Sequence, residues 1–395
     1  MNNIQFTDVV IDVRFGDTGK GVVSYDLLKK KNHDLCIKFN GGPNAGNTIY
    51  INTNDNNNSQ PSNNNSPLSD NNNTSLHNNN NTNINDNNNN NNNTHTSTPT
   101  PTPTYKKMVL HMLPIGMAKP DVYNLISSDC VIDIEKLKKE LEYVKSYGID
   151  ITGRIFISKA CHIITNDNIN YDIEHNLVGS TSSGIGPTYA NKMLRIGKRV
   201  EDYIEEFEAM GVQVVDMRKF WFSEFVKNSV KSVLLQGSQG FELDINWCGS
   251  YPYCTSSTCT LAGAVNTGFP LKTLRNVYGV AKIYDTYVGS MKFQPPDDTD
   301  LVLIGDHGHE YGSTTGRRRQ CNYLNLDALK EGLLINNCNV CIINKVDIVA
   351  DLGIFKLYYN NELKTFDTLD DMKNFILQEL DFMEEVVFSY SPYAI

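Results

Sequence analysis

Along the chain, apolar residues gather in short, nearly unbroken runs at 9–13, 35–39, 234–235, 301–304, 340–343 and 386–388. Each run is followed by a polar or glycine-rich turn. Apolar runs of that length without polar alternation predict strands covered on both faces. Between them, apolar positions recur at helical spacing over 22–28, 133–147, 201–210 and 216–233. The clearest helix is 133–147: Asp133 stands at the N-cap, Ile134, Leu137, Leu141 and Val144 form one face, and Gly148 ends it. Strand, helix, strand and loop in succession predict an α/β fold with a mostly parallel sheet flanked by helices. In such folds ligands bind beyond the strand ends.

One stretch breaks the pattern. Residues 53–104 are nearly all Asn, Ser, Thr, Asp and Pro. Such a tract has too little apolar surface to offset its ordering entropy, which predicts a disordered, low-complexity insertion. Its flanks, Thr-Ile-Tyr-Ile-Asn at 48–52 and Lys-Lys-Met-Val-Leu at 106–110, read as strands. The tract is therefore expected in the turn of a hairpin, where loop length costs little. Residues 1–52 and 105–395 are then a single domain.

Composition narrows the class. The chain has 395 residues and a formal net charge of −10, which argues against general binding to nucleic acid or an anionic membrane. It has no basic-apolar opening segment and no apolar run of about 18 residues, so a cytoplasmic protein is expected. The nine cysteines lack a paired Cys-x-x-Cys framework and read as reduced thiols.

The chemistry lies in the turns. Residues 15–21 read Phe-Gly-Asp-Thr-Gly-Lys-Gly between a strand and a helix. Backbone N–H groups and a helix N-terminus cradle phosphate in such a loop, giving a P-loop-NTPase-like start. Asp17 inside an anion site is costly unless it binds metal or takes a proton. Residues 40–48, Asn-Gly-Gly-Pro-Asn-Ala-Gly-Asn-Thr, form a second glycine-rich loop after a strand. Residues 179–189 combine hydroxyls and glycines, with Lys192 and Arg195 just behind, which suits a monophosphate. Residues 313–319, Ser-Thr-Thr-Gly-Arg-Arg-Arg, suit a polyanionic substrate. Asn344-Lys345-Val346-Asp347 follows a strand, where a carboxylate can accept hydrogen bonds from guanine but not adenine.

These blocks, in this order, resemble the adenylosuccinate synthetase family. Most specific are residues 236–255, Gln-Gly-Ser-Gln-Gly-Phe-Glu-Leu-Asp-Ile-Asn-Trp-Cys-Gly-Ser-Tyr-Pro-Tyr-Cys-Thr, and Thr-Thr-Gly-Arg-Arg-Arg at 314–319. The short foldable part looks like the compact archaeal and viral branch. The resemblance implies a magnesium-dependent ligase that joins IMP to L-aspartate using GTP. It implies that Asp17 removes the N1 proton and ligates the metal, with Gly46 giving a carbonyl, and that Lys20 holds the transferring phosphate. Gly16, Asp17, Thr18, Gly19, Lys20, Gly21, Gly46, Asn47, Thr48 and Arg319 would line GTP, with Lys345, Val346, Asp347 and Ser389 around the guanine. Asn44, Thr181, Gln239, Thr255 and Arg317 would hold IMP, and Arg195 would reach it from the neighbouring subunit of a homodimer. Ser313, Thr314, Thr315, Gly316 and Arg317 would hold the aspartate.

The chain departs from the family pattern at several of these positions. Asn47 stands where the family has its catalytic histidine, and asparagine cannot act as a general acid near neutral pH. Pro43 replaces a histidine, Thr18 a glutamate, Ser183 an arginine and Gln320 the fourth arginine. His33 and His111 lie near site segments in sequence. The departures leave two further readings: a viral-type ligase acting on dGMP, or a nucleotide-binding homologue with impaired turnover.

Overall fold

The computed structural model describes residues 3–52, 105–175, 179, 181–312, 316–391 and 393. The tract at 53–104, with its expected disorder, lies outside them, as do Ser313, Thr314 and Thr315. By compactness the chain divides into Met1–Tyr50 with Lys107–Ile395, and Ile51–Lys106.

The larger unit is organised by a ten-stranded sheet. From one edge its strands are Glu385–Phe388, Val340–Asn344, Leu274–Lys282, Phe6–Asp12, Ser232–Gln236, Leu35–Gly41, Tyr123–Ile132, Ile155–Ser158 and Gln213–Val215, with His162–Ile163 paired onto Tyr123–Ile132. Every pairing in it is parallel. All residues of Leu35–Gly41 and Ser232–Gln236 are buried, which accounts for their mainly apolar character. Val9, Ile11, Ile37, Leu235, Ala281 and Ile343 pack into one core. Full burial of each of the larger side chains contributes about 1.5–3 kcal/mol. A second sheet holds Tyr284–Tyr287, Gln320–Asn325, Lys356–Tyr359 and Glu362–Thr365. Asn47–Asn52 and Tyr105–Leu110, the two strands expected around the tract, pair as a two-stranded sheet.

The helix read at 133–147 spans Ile134–Lys145, with the Asp133 side chain accepting from the Lys136 N–H at 3.0 Å. The run 301–304 is a correction: it is not a strand but lies within the helix Thr299–His307. Asp298 caps that helix, accepting from the N–H groups of Asp300 and Leu301. Leu301 and Ile304 are buried while Val302 and Leu303 are exposed, the three-residue spacing of a helix face. The helix expected over 216–233 is instead two short helices, Met217–Phe220 and Glu224–Ser229, begun by Asp216 and Ser223, before the strand Ser232–Gln236.

Because the strands run parallel, Asp12, Gly41, Gln236, Lys282, Asn344 and Phe388 all end on one side of the sheet. The loops leaving that side carry the candidate site.

Candidate active site

The phosphate loop is wound around a buried carboxylate. Asp12 ends its strand with one oxygen accepting from the N–H groups of Arg14, at 3.0 Å, and Gly16, at 3.1 Å. Its other oxygen accepts from the Thr18 hydroxyl at 2.5 Å and the Lys20 ammonium at 3.1 Å. The Lys20 ammonium also donates to the Gln239 carbonyl at 2.6 Å, which joins this loop to the 237–240 turn. The Thr18 carbonyl accepts from the Asn344 side chain at 2.6 Å. Thr18, which replaces a family glutamate, is thus a buried pin of the loop. Gly19 precedes the helix Lys20–Lys31 with φ of 93°, and a Cβ there would lie 2.8 Å from the Asn344 side-chain nitrogen. No other residue fits that position without strain.

Arg14 braces the loop from below. Its guanidinium donates to both Asp285 oxygens, at 3.0 and 2.7 Å, and to Glu242 at 2.5 Å. Burial works against that charge, but Asp285 and Glu242 hold it above the ordinary arginine value.

Asp17 is in the left-handed region, φ 55°, and its side chain is 40% exposed. Its carboxylate pairs with Arg319 at 3.0 Å. Arg319 also grips Glu310 at 2.6 Å, and Glu310 accepts from Lys282 at 3.1 Å and the Tyr284 hydroxyl at 2.7 Å. Burial would raise the Glu310 carboxyl, but Lys282, Arg319 and Lys345 outweigh it and hold it at about 2. Glu310 is therefore an anion that fixes Arg319 and, through it, the side of the loop bearing Asp17.

The three successive arginines diverge. Arg319 enters the site, whereas Arg318 pairs with Asp306 at 2.7 Å and is half exposed. Arg317 donates to the carbonyls of Gly179 and Gly289, joining the 179–189 segment to the 288–294 loop. Gln320, in place of the fourth arginine, accepts from the N–H groups of Phe293 and Gln294 and donates to the carbonyls of Gly289 and Met291. It holds that loop in shape.

Other expected residues also meet. The Asn44 side chain donates to the Thr181 hydroxyl. The Asn47 Cβ lies 3.1 Å from where a Cβ on Gly21 would stand, and the Thr48 carbonyl lies 3.2 Å from that point. Asn47 thus packs on the first turn after the phosphate loop. The Gln239 side-chain oxygen is buried without a partner, the mark of a group that a ligand would satisfy. Thr255 is tied to the 241–244 turn by its N–H on the Leu243 carbonyl at 2.8 Å. Ser389 and Val346 meet through a backbone hydrogen bond of 3.2 Å, so the C-terminal segment borders the Lys345–Asp347 turn. The Lys345 ammonium donates to the Gly308 carbonyl at 3.0 Å, and burial lowers its basicity.

Arg195 stands apart from these groups. It caps the helix Ile185–Leu194 and lines a cavity of about 400 Å³ with Asp129, His162, Lys192 and Arg199, into which no phosphate-loop residue projects. His33 belongs elsewhere too: it is buried against Asp8 at 3.0 Å, near the start of the strand that Asp12 ends. Residues that escaped the sequence reading are Asp12, Arg14, Lys282, Asp285 and Glu310. Asp12 alone left a signal, as an acid interrupting an apolar strand just before a lysine loop.

The family model described as adenylosuccinate synthetase matches residues 87–230 and 208–381. An adenylosuccinate synthetase of Parabacteroides distasonis is 30% identical over 88% of this chain and 79% of its own length. The fully ligated adenylosuccinate synthetase structure from Plasmodium falciparum superposes with a TM-score of 0.71 at 22% identity, covering 98% of both chains. A cyanophage S-2L succinoaminodeoxyadenylate synthetase, solved with dGMP and dATP, gives a TM-score of 0.68 at 19% identity, covering 99% of this chain and 94% of its own. At those identities the two structures carry the fold alone.

Proposed function

Because this chain belongs to the adenylosuccinate synthetase family, whose members are GTP-dependent ligases, we propose that it joins IMP and L-aspartate to give adenylosuccinate, GDP and phosphate. The observation that carries this reading is Asp17: a carboxylate inside a phosphate loop, half open to solvent, with Lys20 behind it and Arg319 at 3.0 Å.

Asp17 takes the N1 proton as the γ-phosphoryl group of GTP moves to the 6-oxygen of the base, and the aspartate amine then displaces that phosphate. Lys20 and the loop N–H groups receive the charge on the phosphates. Gln239, Thr255, Asn44 and Thr181 hold the nucleotide, Arg317 with residues 313–316 of the sequence the aspartate, and Asp347 the guanine. Magnesium fits the donors available, a hard carboxylate on Asp17 and the Gly46 carbonyl, with phosphate oxygens to complete its shell. When bound it neutralises phosphate charge.

Two parts of this proposal reach beyond one active site. Arg195 completes the nucleotide site of a second copy. It is flanked by Met193, Leu194 and Ile196, which are 70%, 65% and 68% exposed, an apolar surface suited to a homodimer. We also place the protein in the cytoplasm, on the ground of its biosynthetic role; among the described residues no helix is long and apolar enough to cross a membrane.

Turnover tested with IMP or dGMP, each with GTP or ATP, decides the reading. IMP with GTP is expected to be the productive pair; turnover on dGMP alone would transfer the assignment to the viral-type reaction. Asn47 offers only a neutral hydrogen bond, so kcat is expected to be low at ordinary KM values, with Asn47→His raising kcat by at least about tenfold. A fast wild type that Asn47→His leaves unchanged would mean that another group supplies the proton.

A further inference from the structure

Two cysteines face each other beside the nucleotide turn. Cys248, Cys254 and Cys338 are partly exposed, whereas Cys36, Cys130, Cys161, Cys259, Cys321 and Cys341 are buried. The Cys248 thiol donates to the Tyr253 carbonyl at 3.5 Å and accepts from the Ser250 N–H at 3.3 Å. Its sulphur therefore lies against the peptide that enters Cys254, and the Cys254 thiol is within hydrogen-bonding reach of it. The backbone closes the same gap. The Cys248 N–H binds the Asp244 carbonyl at 2.9 Å, and the N–H of Thr255, the residue after Cys254, binds the Leu243 carbonyl at 2.8 Å. Both ends of the 248–254 loop thus hang from consecutive carbonyls of one turn. Disulfides need Cα atoms about 4.4–6.8 Å apart, and such anchoring favours that separation.

We propose that Cys248 and Cys254 form a reversible intrachain disulfide that weakens substrate binding. The co-reactant is a low-molecular-weight disulfide, R–S–S–R. One cysteine thiolate attacks a sulphur of the reagent, releasing a thiolate that takes up a proton. The second cysteine then attacks the mixed disulfide and releases the other R–SH, so two protein thiols become one disulfide and the reagent becomes two thiols. Burial pushes the Cys254 thiol up, so attack by that cysteine runs through a minority thiolate.

Closing the loop removes the hydrogen bond from Cys248 to the Tyr253 carbonyl and displaces the peptide leading into Thr255. The effect on binding rests on the proposed role of Thr255; the disulfide itself does not.

The test incubates the full chain with oxidised glutathione and maps its peptides by mass. In wild type, the segment holding Cys248 and Cys254 is expected to lose two hydrogens and regain them with dithiothreitol. Cys248→Ser and Cys254→Ser form no intrachain link. With the link formed, the KM for IMP rises about tenfold, equivalent to about 1.4 kcal/mol, and Cys248→Ser abolishes that rise. A persistent glutathione adduct without closure, closure elsewhere, or a linked protein with unchanged KM would each overturn the inference. A linked protein whose reduced form never turns over IMP would count against the function reading, since the mass shift is read without turnover.

Discussion

Asp8 and Asp12 lie on the same strand, four residues apart, so their side chains leave on the same face, and both are fully buried. Each meets a cationic side chain at hydrogen-bond distance, yet they do different work. Asp8 binds His33, just past the first helix, and the Nε and Nη2 groups of Arg275 on the neighbouring strand. Its partners sit on or beside packed elements, and the contact locks helix to sheet. The partners of Asp12 come from the loop that follows it and the first residue of the next helix, so the same carboxylate chemistry there shapes a loop at the strand end. A buried ion pair marks function only where its partners belong to a ligand-facing loop.

The sharpest way to break this comparison is Asp12→Asn. The amide keeps one oxygen for the Arg14 and Gly16 N–H groups but turns an NH2 toward Thr18 and Lys20. With Lys20 left without its counter-charge, kcat is expected to fall on the order of 100- to 1,000-fold. Stability drops by about 3–5 kcal/mol, because a buried charge loses its partner. Steady-state kinetics and urea unfolding check both; a variant with near-normal kcat would show that Asp12 is scaffold, like Asp8.

That contrast also explains what was legible in the sequence. The strand runs, the well-capped helix at Ile134–Lys145 and the loops at strand ends can be read from local pattern, because periodicity, caps and glycines act within a few residues. The run 301–304 misleads because four apolar residues fit either a strand or a helix face, and only the Asp298 cap and the burial of Leu301 with Ile304 decide. Glu310 and Lys282 stayed hidden for another reason. Their meaning lies in partners brought together by the parallel sheet, such as Lys282 and Glu310, 28 residues apart in sequence. The three successive arginines suit a polyanion as a sequence, but the fold sends Arg317 to the Gly179 and Gly289 carbonyls, Arg318 to Asp306 and Arg319 to Asp17 and Glu310.

Glu310 tests an intermediate case, a buried carboxylate one step behind the loop. Its folded value of about 2 lies below the ordinary value near 4.5. The unfolded chain therefore binds the proton more tightly, and the stabilisation is present above about pH 4.5 and fades as pH falls toward 2. It amounts to about 3 kcal/mol at neutral pH. Glu310→Gln should flatten the fall in stability through that acidic window and lower kcat/KM by about 10- to 100-fold, since Arg319 loses its anchor. An unchanged kcat/KM would place Glu310 with Asp8, as part of the frame.

The smallest kinetic effect is expected from Asp8→Asn, and it decides whether the comparison holds. Asp8 is buried, which alone would raise its carboxyl, but hydrogen bonds from His33 and Arg275 bring it below the ordinary range. Its stabilisation is therefore present above pH about 4 and lost as pH falls through the lowered value. Asn in its place leaves His33 and Arg275 facing a neutral amide, at a cost of about 2–3 kcal/mol, eased because Arg275 is itself 37% exposed. None of these groups touches the phosphate loop, so kcat and both nucleotide KM values of the folded fraction should match wild type. Kinetics at a temperature well below the unfolding midpoint separate the two effects. If kcat fell there as it does for Asp12→Asn, the strand would be transmitting strain along its length, and the division of labour between its two ends would be wrong.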